Sequence, residues 1–136
     1  MVLRYSYLWD NDFKVGKEEG RKDRPCVVIL ALEKAENAMI VTVAPITHST
    51  PSNSDAAVEI PAKVKQRLSL DKEKSWVIVG EVNHFEWPGP DIRPVPNTSP
   101  PRYDYGTLPP TLFKTITTRL MLEARLGGVR NIRRTH

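Results

Sequence analysis

The sequence predicts a mainly β protein with one C-terminal helix, its strands curled into a small antiparallel barrel. Three observations carry this. The runs Cys26 to Leu32, Met39 to Ile46 and Trp76 to Val82 are apolar, rich in β-branched residues and too short for typical buried helices. No long helical pattern separates them, so tight antiparallel connections are expected in place of helical crossovers. One amphipathic stretch, Leu108 to Leu126, follows at the end. A sheet of this size removes its exposed edges most readily by closing on itself.

The elements follow in order. Tyr5, Tyr7 and Trp9 alternate with Arg4, Ser6 and Leu8, the spacing of a strand. Asp10 to Arg24 is polar, carries Gly16 and Gly20, and has too few apolar groups to offset the ordering cost of burial. It reads as an exposed loop. Pro25 leads into the first apolar run, read as a central strand. Glu33 to Ala38 is a turn. Met39 to Ile46 is a second buried strand, with Pro45 near its end where a lost N–H is tolerable. Thr47 to Asp55 is a loop, and Ala57 to Ile60 a short strand. Pro61 opens a turn or two of helix over 61–68, with Val64 and Leu68 on one face. In the third run Gly80 marks a bulge or a close backbone approach, and Phe85 to Trp87 starts a further strand. Most of the 12 prolines lie from Pro88 to Pro110, a long irregular excursion. Pro109 and Pro110 then suit a helix start, Leu112, Phe113, Ile116 and Leu120 keep its period, and Gly127-Gly128 closes it.

Composition sets the outer limits. With 136 residues, 40% hydrophobic and 26% charged, the chain is one ordinary globular domain and not a disordered one. The domain is expected over 1–128, including the excursion 88–110, with 129–136 as a basic, frayed tail. The single Cys26 excludes an intramolecular disulfide framework and a cysteine zinc cage, and is most simply a core residue. No run approaches the length of a membrane span, and MVLRYSYLWDND lacks an apolar signal region, so a cytoplasmic protein is expected.

Twenty basic against 16 acidic residues give a net charge of +4, which allows a polyanion partner without demanding one. Arg24 sits where the basic loop enters a buried strand, and Thr47, His48 and Ser49 where another buried strand leaves. If those strands are antiparallel neighbours, the start of one meets the end of the other and Arg24 lies beside Thr47. A planar guanidinium and a hydroxyl suit a phosphodiester; a surface arginine and a strand-capping threonine remain the plain alternative. Histidine is a residue type suited to a general base, which makes His48 a candidate, yet neighbours on a strand face opposite sides. Lys17, Arg21 and Lys22 either line a channel for RNA or, offset by Glu18, Glu19 and Asp23, form a solvated loop. Trp9, Phe85 and Trp87 either stack on bases or fill core and interface. His48, His84 and His136 show no metal-ligand spacing, so no metal and no cofactor are expected.

These segments resemble a known family, the MazF/PemK toxins of bacterial toxin–antitoxin systems. GRKDRPCVVIL is similar to their basic loop and "RP" strand, and VTVAPIT to the next core strand ending in Thr or Ser. VEIP, SWVIVGEVNHF and the final helix resemble later elements in the same order, from about Tyr7 to Gly127. The resemblance implies an SH3-like barrel, a homodimer, and a metal-independent endoribonuclease for single-stranded RNA. It implies attack of the ribose 2′-OH on the adjacent phosphorus, with Arg24 and Thr47 at the catalytic positions and an acidic antitoxin as partner. Glu81 stands near a groove-lining position of the family, or else is an outward-facing strand glutamate. The N-terminus, the excursion 88–110 and the basic tail depart from the family pattern. Other uses of such a barrel are a catalytically silent module that binds nucleic acid or protein, and a toxin acting on a DNA topoisomerase.

Overall fold

The computed structural model describes residues 1–10, 23–34 and 38–134. Among them lie β1 Val2–Ser6, β2 Asp23–Lys34, β3 Ala38–Thr47, a 3-10 turn Ser54–Ala56, β4 Ala57–Glu59, α1 Ala62–Arg67, β5 Trp76–Ile78, β6 Glu81–Trp87, β7 Asp104–Gly106, α2 Pro110–Arg125 and β8 Arg130–Arg133. The strand order is β4-β5-β3-β2-β1-β7, with β6 on β3 and β8 on β6. The sheet is mainly antiparallel, open and barrel-like, and one long helix follows it, as expected. Most of the expected loop Asp10 to Arg24, with Lys17, Arg21 and Lys22, lies outside the described residues.

Strand β3 is the hub. It pairs with β2 along most of its length, and its other edge is shared. Ile46 and Thr47 pair with β5, while Met39 to Val43 pair with β6. The run Trp76 to Val82 is therefore two strands, not one. At the break, the Val79 N–H donates to Ala56 O (2.8 Å) and Gly80 O accepts from the Arg130 N–H (3.0 Å). A local reading of apolar residues misses this, because both halves are buried on the same β3 partner.

Alternation along β1 and β2 feeds two cores. Val2 and Val27 join Ile46, Val77 and Ile116 on the face covered by α2. Leu3, Tyr5 and Cys26 join Val41, Val43 and Phe85 on the other. Each fully buried side chain of this size contributes about 1.5–3 kcal/mol. The Tyr5 and Phe85 rings stack at 4.7 Å, so Phe85 is core. Cys26 is fully buried and burial pushes its thiol pKa up. Helix α2 ends in a double closure: Gly127, at φ 73, donates to Ala124 O (3.0 Å), and Gly128 to Glu123 O (2.9 Å). Only a residue tolerant of left-handed backbone suits position 127.

The tail does not fray where it is described. Arg130 to Arg133 form β8, parallel to β6, and Ile132 is fully buried. Arg134 follows, also buried, with Nη2 3.0 Å from Asp91 Oδ2. Its Nη1 donates to Ser6 O (2.5 Å) and Asn83 Oδ1 (3.3 Å). The excursion 88–110 is anchored at the opposite edge. Ser6 N–H donates to Asp91 O (2.8 Å), Arg93 N–H to Arg4 O (2.8 Å), and β7 pairs with β1. Two of its peptide bonds, Trp87–Pro88 and Ser99–Pro100, are cis.

The Arg134–Asp91 pair thus joins tail, excursion and β1. Removing one partner strands the other charge without water, a cost of about 3–5 kcal/mol. Asp91→Ala is expected to lose stability on that scale in urea unfolding; a loss below about 1 kcal/mol would contradict the role given to this pair.

Candidate active site

Antiparallel pairing of β2 with β3 places Cys26 opposite Pro45, so the start of β2 and the end of β3 share one end of the sheet. There a cleft of about 770 Å³ opens. Arg24, Thr47, His48, Ser49 and Glu81 all line it, with Trp9 and Arg130. Six residues singled out in the sequence, Trp9 among them, thus line one concavity.

Arg24 is half-buried. Its guanidinium carbon lies 4.9 Å from the centroid of the Trp9 ring, and Nη1 reaches Ile46 O at 3.5 Å. Its Nε is buried without a hydrogen bond, and no carboxylate among the described residues pairs with it. Burial lowers its pKa. A cation held on an indole face and short of acceptors gains by meeting an anion. Trp9 is fixed in turn by an edge contact with Tyr7 (5.1 Å) and by Asn83 below. The Asn83 amide accepts from Leu8 N–H (2.9 Å) and donates to Leu8 O (2.8 Å), clasping the chain next to Trp9. One face of Trp9 is thus given to Arg24, while Trp87 is 40% exposed on β6.

Thr47 Oγ1 accepts from the Ser49 N–H at 3.2 Å, and among the described residues its hydroxyl donates to no acceptor. His48 turns toward the segment after α1. Its Nε2 lies 2.7 Å from Asp71 Oδ2, and Nδ1 lies 3.1 Å from Ser75 Oγ and 3.6 Å from Glu73 Oε2. His48, Asp71 and Glu73 bring three possible ligand atoms within 4.8 Å, a grouping that no spacing in the sequence suggests. The buried Lys65 ammonium already meets Asp71 there at 2.7 Å and also donates to Ser75 Oγ and Glu73 O.

Glu81 is buried, at 5% exposure, and faces inward. Its Oε1 accepts from the Tyr7 hydroxyl (3.1 Å) and the Asp10 N–H (3.1 Å), and Oε2 lies 3.4 Å from Arg130 Nη2. Burial raises its pKa, and these donors oppose the rise. Arg130 also lies 3.4 Å from Asp10 Oδ2. The lining carries two arginines, Arg24 and Arg130, and two glutamates, Glu81 and Glu123. Arg130, Asn83 and the clasp on Leu8 are parts the sequence does not announce. The signal available was an arginine-rich tail with one isoleucine, too short to mark a strand.

A model of the family described as PemK-like, MazF-like toxin of type II toxin–antitoxin system matches residues 7–86, more than half of the chain. No significant match appears among curated proteins or among solved structures.

The Arg130–Glu81 contact can be measured directly. Arg130→Ala removes a cation that favours the ionised carboxylate, so the Glu81 pKa is expected to rise above its wild-type value. A carbon-detected NMR titration of the Glu81 carboxyl reads this, and an unchanged or lowered midpoint would contradict the coupling.

Proposed function

The chain belongs to the PemK-like, MazF-like toxins of type II toxin–antitoxin systems, and on that premise we propose that it is an endoribonuclease. It cuts single-stranded RNA without a metal ion, by attack of a ribose 2′-OH on the adjacent phosphorus. One observation supports this most. A half-buried guanidinium with no carboxylate partner among the described residues shares a cleft wall with a hydroxyl on the neighbouring strand end.

In the step, the 2′-O–P bond forms as the P–O5′ bond breaks, giving a 2′,3′-cyclic phosphate and a 5′-OH. Negative charge gathers on the non-bridging oxygens. The Arg24 fork and the Thr47 hydroxyl are donors that meet it without rearranging. Glu81 takes the 2′-OH proton; burial raises its pKa toward the working pH of a general base. Arg24 also donates a hydrogen bond to the leaving 5′-oxygen, which takes its proton from solvent water. His48 and Ser49 bind substrate at the rim, and Lys17, Arg21 and Lys22 extend the binding track from the loop.

A type II toxin implies an antitoxin. We take that partner to be acidic, to suit a chain of net charge +4, and to cover the same cleft. We take the toxin to be a homodimer; Leu30 and Leu32 are 48% and 57% exposed on β2 and offer apolar area for a second copy. No described helix is long and apolar enough to cross a membrane.

The test is cleavage of a single-stranded RNA by purified protein in EDTA, with ends mapped by primer extension. Arg24→Ala and Thr47→Val are each expected to lose about 100- to 1,000-fold in rate. Glu81→Gln should lose about 100-fold or more and flatten the acid limb of the pH profile, whereas His48→Gln keeps that limb. Wild-type protein that binds RNA and leaves it intact would sink the nuclease reading and favour a silent binding module.

A further inference from the structure

A second pocket, of about 360 Å³, lies across Arg24 and His48 from the main cleft, and both residues line both spaces. Its lining is mixed: Pro25, Ile46 and Leu70, with Val95 and Pro96 of the proline-rich excursion, are apolar, and Asp23, Lys65, Ser69, Asp71 and Ser75 stand among them. Arg4 Nη1 donates to the Tyr105 hydroxyl oxygen (3.1 Å), which leaves the phenolic proton outward, and Arg4 Nε lies 3.9 Å from Asp23. Asn97, at φ 61, is an exposed residue of the excursion and lines the pocket.

The excursion side of this lining is built, not draped. Val95 N–H donates to Arg102 O (2.6 Å), and Thr98 Oγ1 donates to Val95 O (2.8 Å) while accepting from Arg102 N–H (3.0 Å). The same segment is sewn to β1 by Arg93 N–H to Arg4 O and Arg4 N–H to Tyr103 O (3.0 Å). None of the residues lining the main cleft comes from 88–110. The excursion therefore leaves that cleft open and shapes its neighbour. It also lies beyond the residues the family model matches, 7–86.

We propose that this second pocket is a nucleobase subsite, and that the excursion residues Val95 to Asn97 determine which base is accepted next to the cleaved bond. The inference rests on the nuclease reading and specifies its substrate. An RNA strand whose scissile phosphate meets Arg24 passes directly from one space to the other. Apolar groups from Pro25, Ile46, Leu70, Val95 and Pro96 beside hydrogen-bonding side chains suit a splayed base, which is read by packing on its face and by its edge groups. A lone phosphate suits it less, because the described cations that border this pocket and not the main cleft are already engaged: Arg4 with Asp23 and Tyr105, and Lys65 with Asp71 and Ser75. The Asn97 amide supplies a donor and an acceptor side by side, the pattern that reads a base edge.

Two measurements on the full chain test this. Cleavage of a randomised single-stranded RNA pool, with ends sequenced, should show a base preference on one side of the cut. Asn97→Ala should reduce that preference about 5-fold or more, with total cleavage within about 3-fold of wild type. An unchanged preference at every position overturns the subsite. Independently of cleavage, each of the four nucleoside monophosphates should shift the Asn97 amide and Val95 methyl NMR signals, while inorganic phosphate should not. Equal shifts with phosphate alone, or none with any nucleotide, overturn it too. Nucleotide-specific shifts in a protein that cuts no RNA would keep the base subsite and discard only the nuclease reading.

Discussion

The placement of Arg24 governs the rest of the site. Its guanidinium lies against the Trp9 face, reaches the carbonyl of Ile46 and has no carboxylate partner among the described residues. Arginine suits this environment where lysine would not. Its charge is spread over a plane, is weakly hydrated, and tolerates an aromatic face on one side while its fork stays available on the other. Lysine concentrates its charge and would lose more on leaving water. Trp9 can act as that platform only because its own position is fixed, by the ring of Tyr7 and by the Asn83 clasp on Leu8. The chain of support runs from a fully buried asparagine on β6, through three residues after β1, to the cation in the cleft.

The split of β3 between two partners explains why the cleft lies where it does. Its first half pairs with β6 and its last two residues with β5, so the sheet parts at Val79-Gly80. Thr47 sits on one side of the parting and Glu81 on the other. A continuous strand from Trp76 to Trp87 would have kept them in one flat surface. The gap is closed from behind by β8, whose first residue hydrogen-bonds to Gly80 and whose side chain turns to Glu81.

Much of this was legible in the sequence, and the unread parts have physical reasons. The runs Cys26 to Leu32 and Met39 to Ile46 are apolar and β-branched, buried at Cys26 and Val27 and from Val43 to Ile46 but exposed at Leu30 and Leu32, and adjacency in the chain makes them antiparallel neighbours. Arg24 beside Thr47 follows from that alone. The helix over 108–126 was readable from its period, with ends within two residues of Pro110–Arg125. The burial of Glu81 was not readable, since a glutamate in a strand ordinarily faces water and here its donors come from Tyr7, Asp10 and Arg130, each far away in the chain. Nor was β8. RNIRR carries one apolar residue among basic ones, and its strand state depends on a parallel partner 49 residues earlier and on an ion pair with Asp91. Both cases turn on tertiary pairing that no local window contains.

Charge balance in the cleft gives the tail its weight. Among the described lining residues, Arg24 and Arg130 stand against Glu81 and Glu123, so Arg130 offsets a second carboxylate beside the place for an anion. Glu81 has a partner on its outer oxygen while Tyr7 and Asp10 hold the inner one. On the nuclease reading proposed above, with Glu81 as the base, an incoming phosphate would compete with Glu81 for Arg130. A guanidinium drawn toward the new anion would leave the carboxylate without its stabilising cation and raise its proton affinity. Substrate binding and readiness of the base would then be coupled through one side chain, which β8 holds in place.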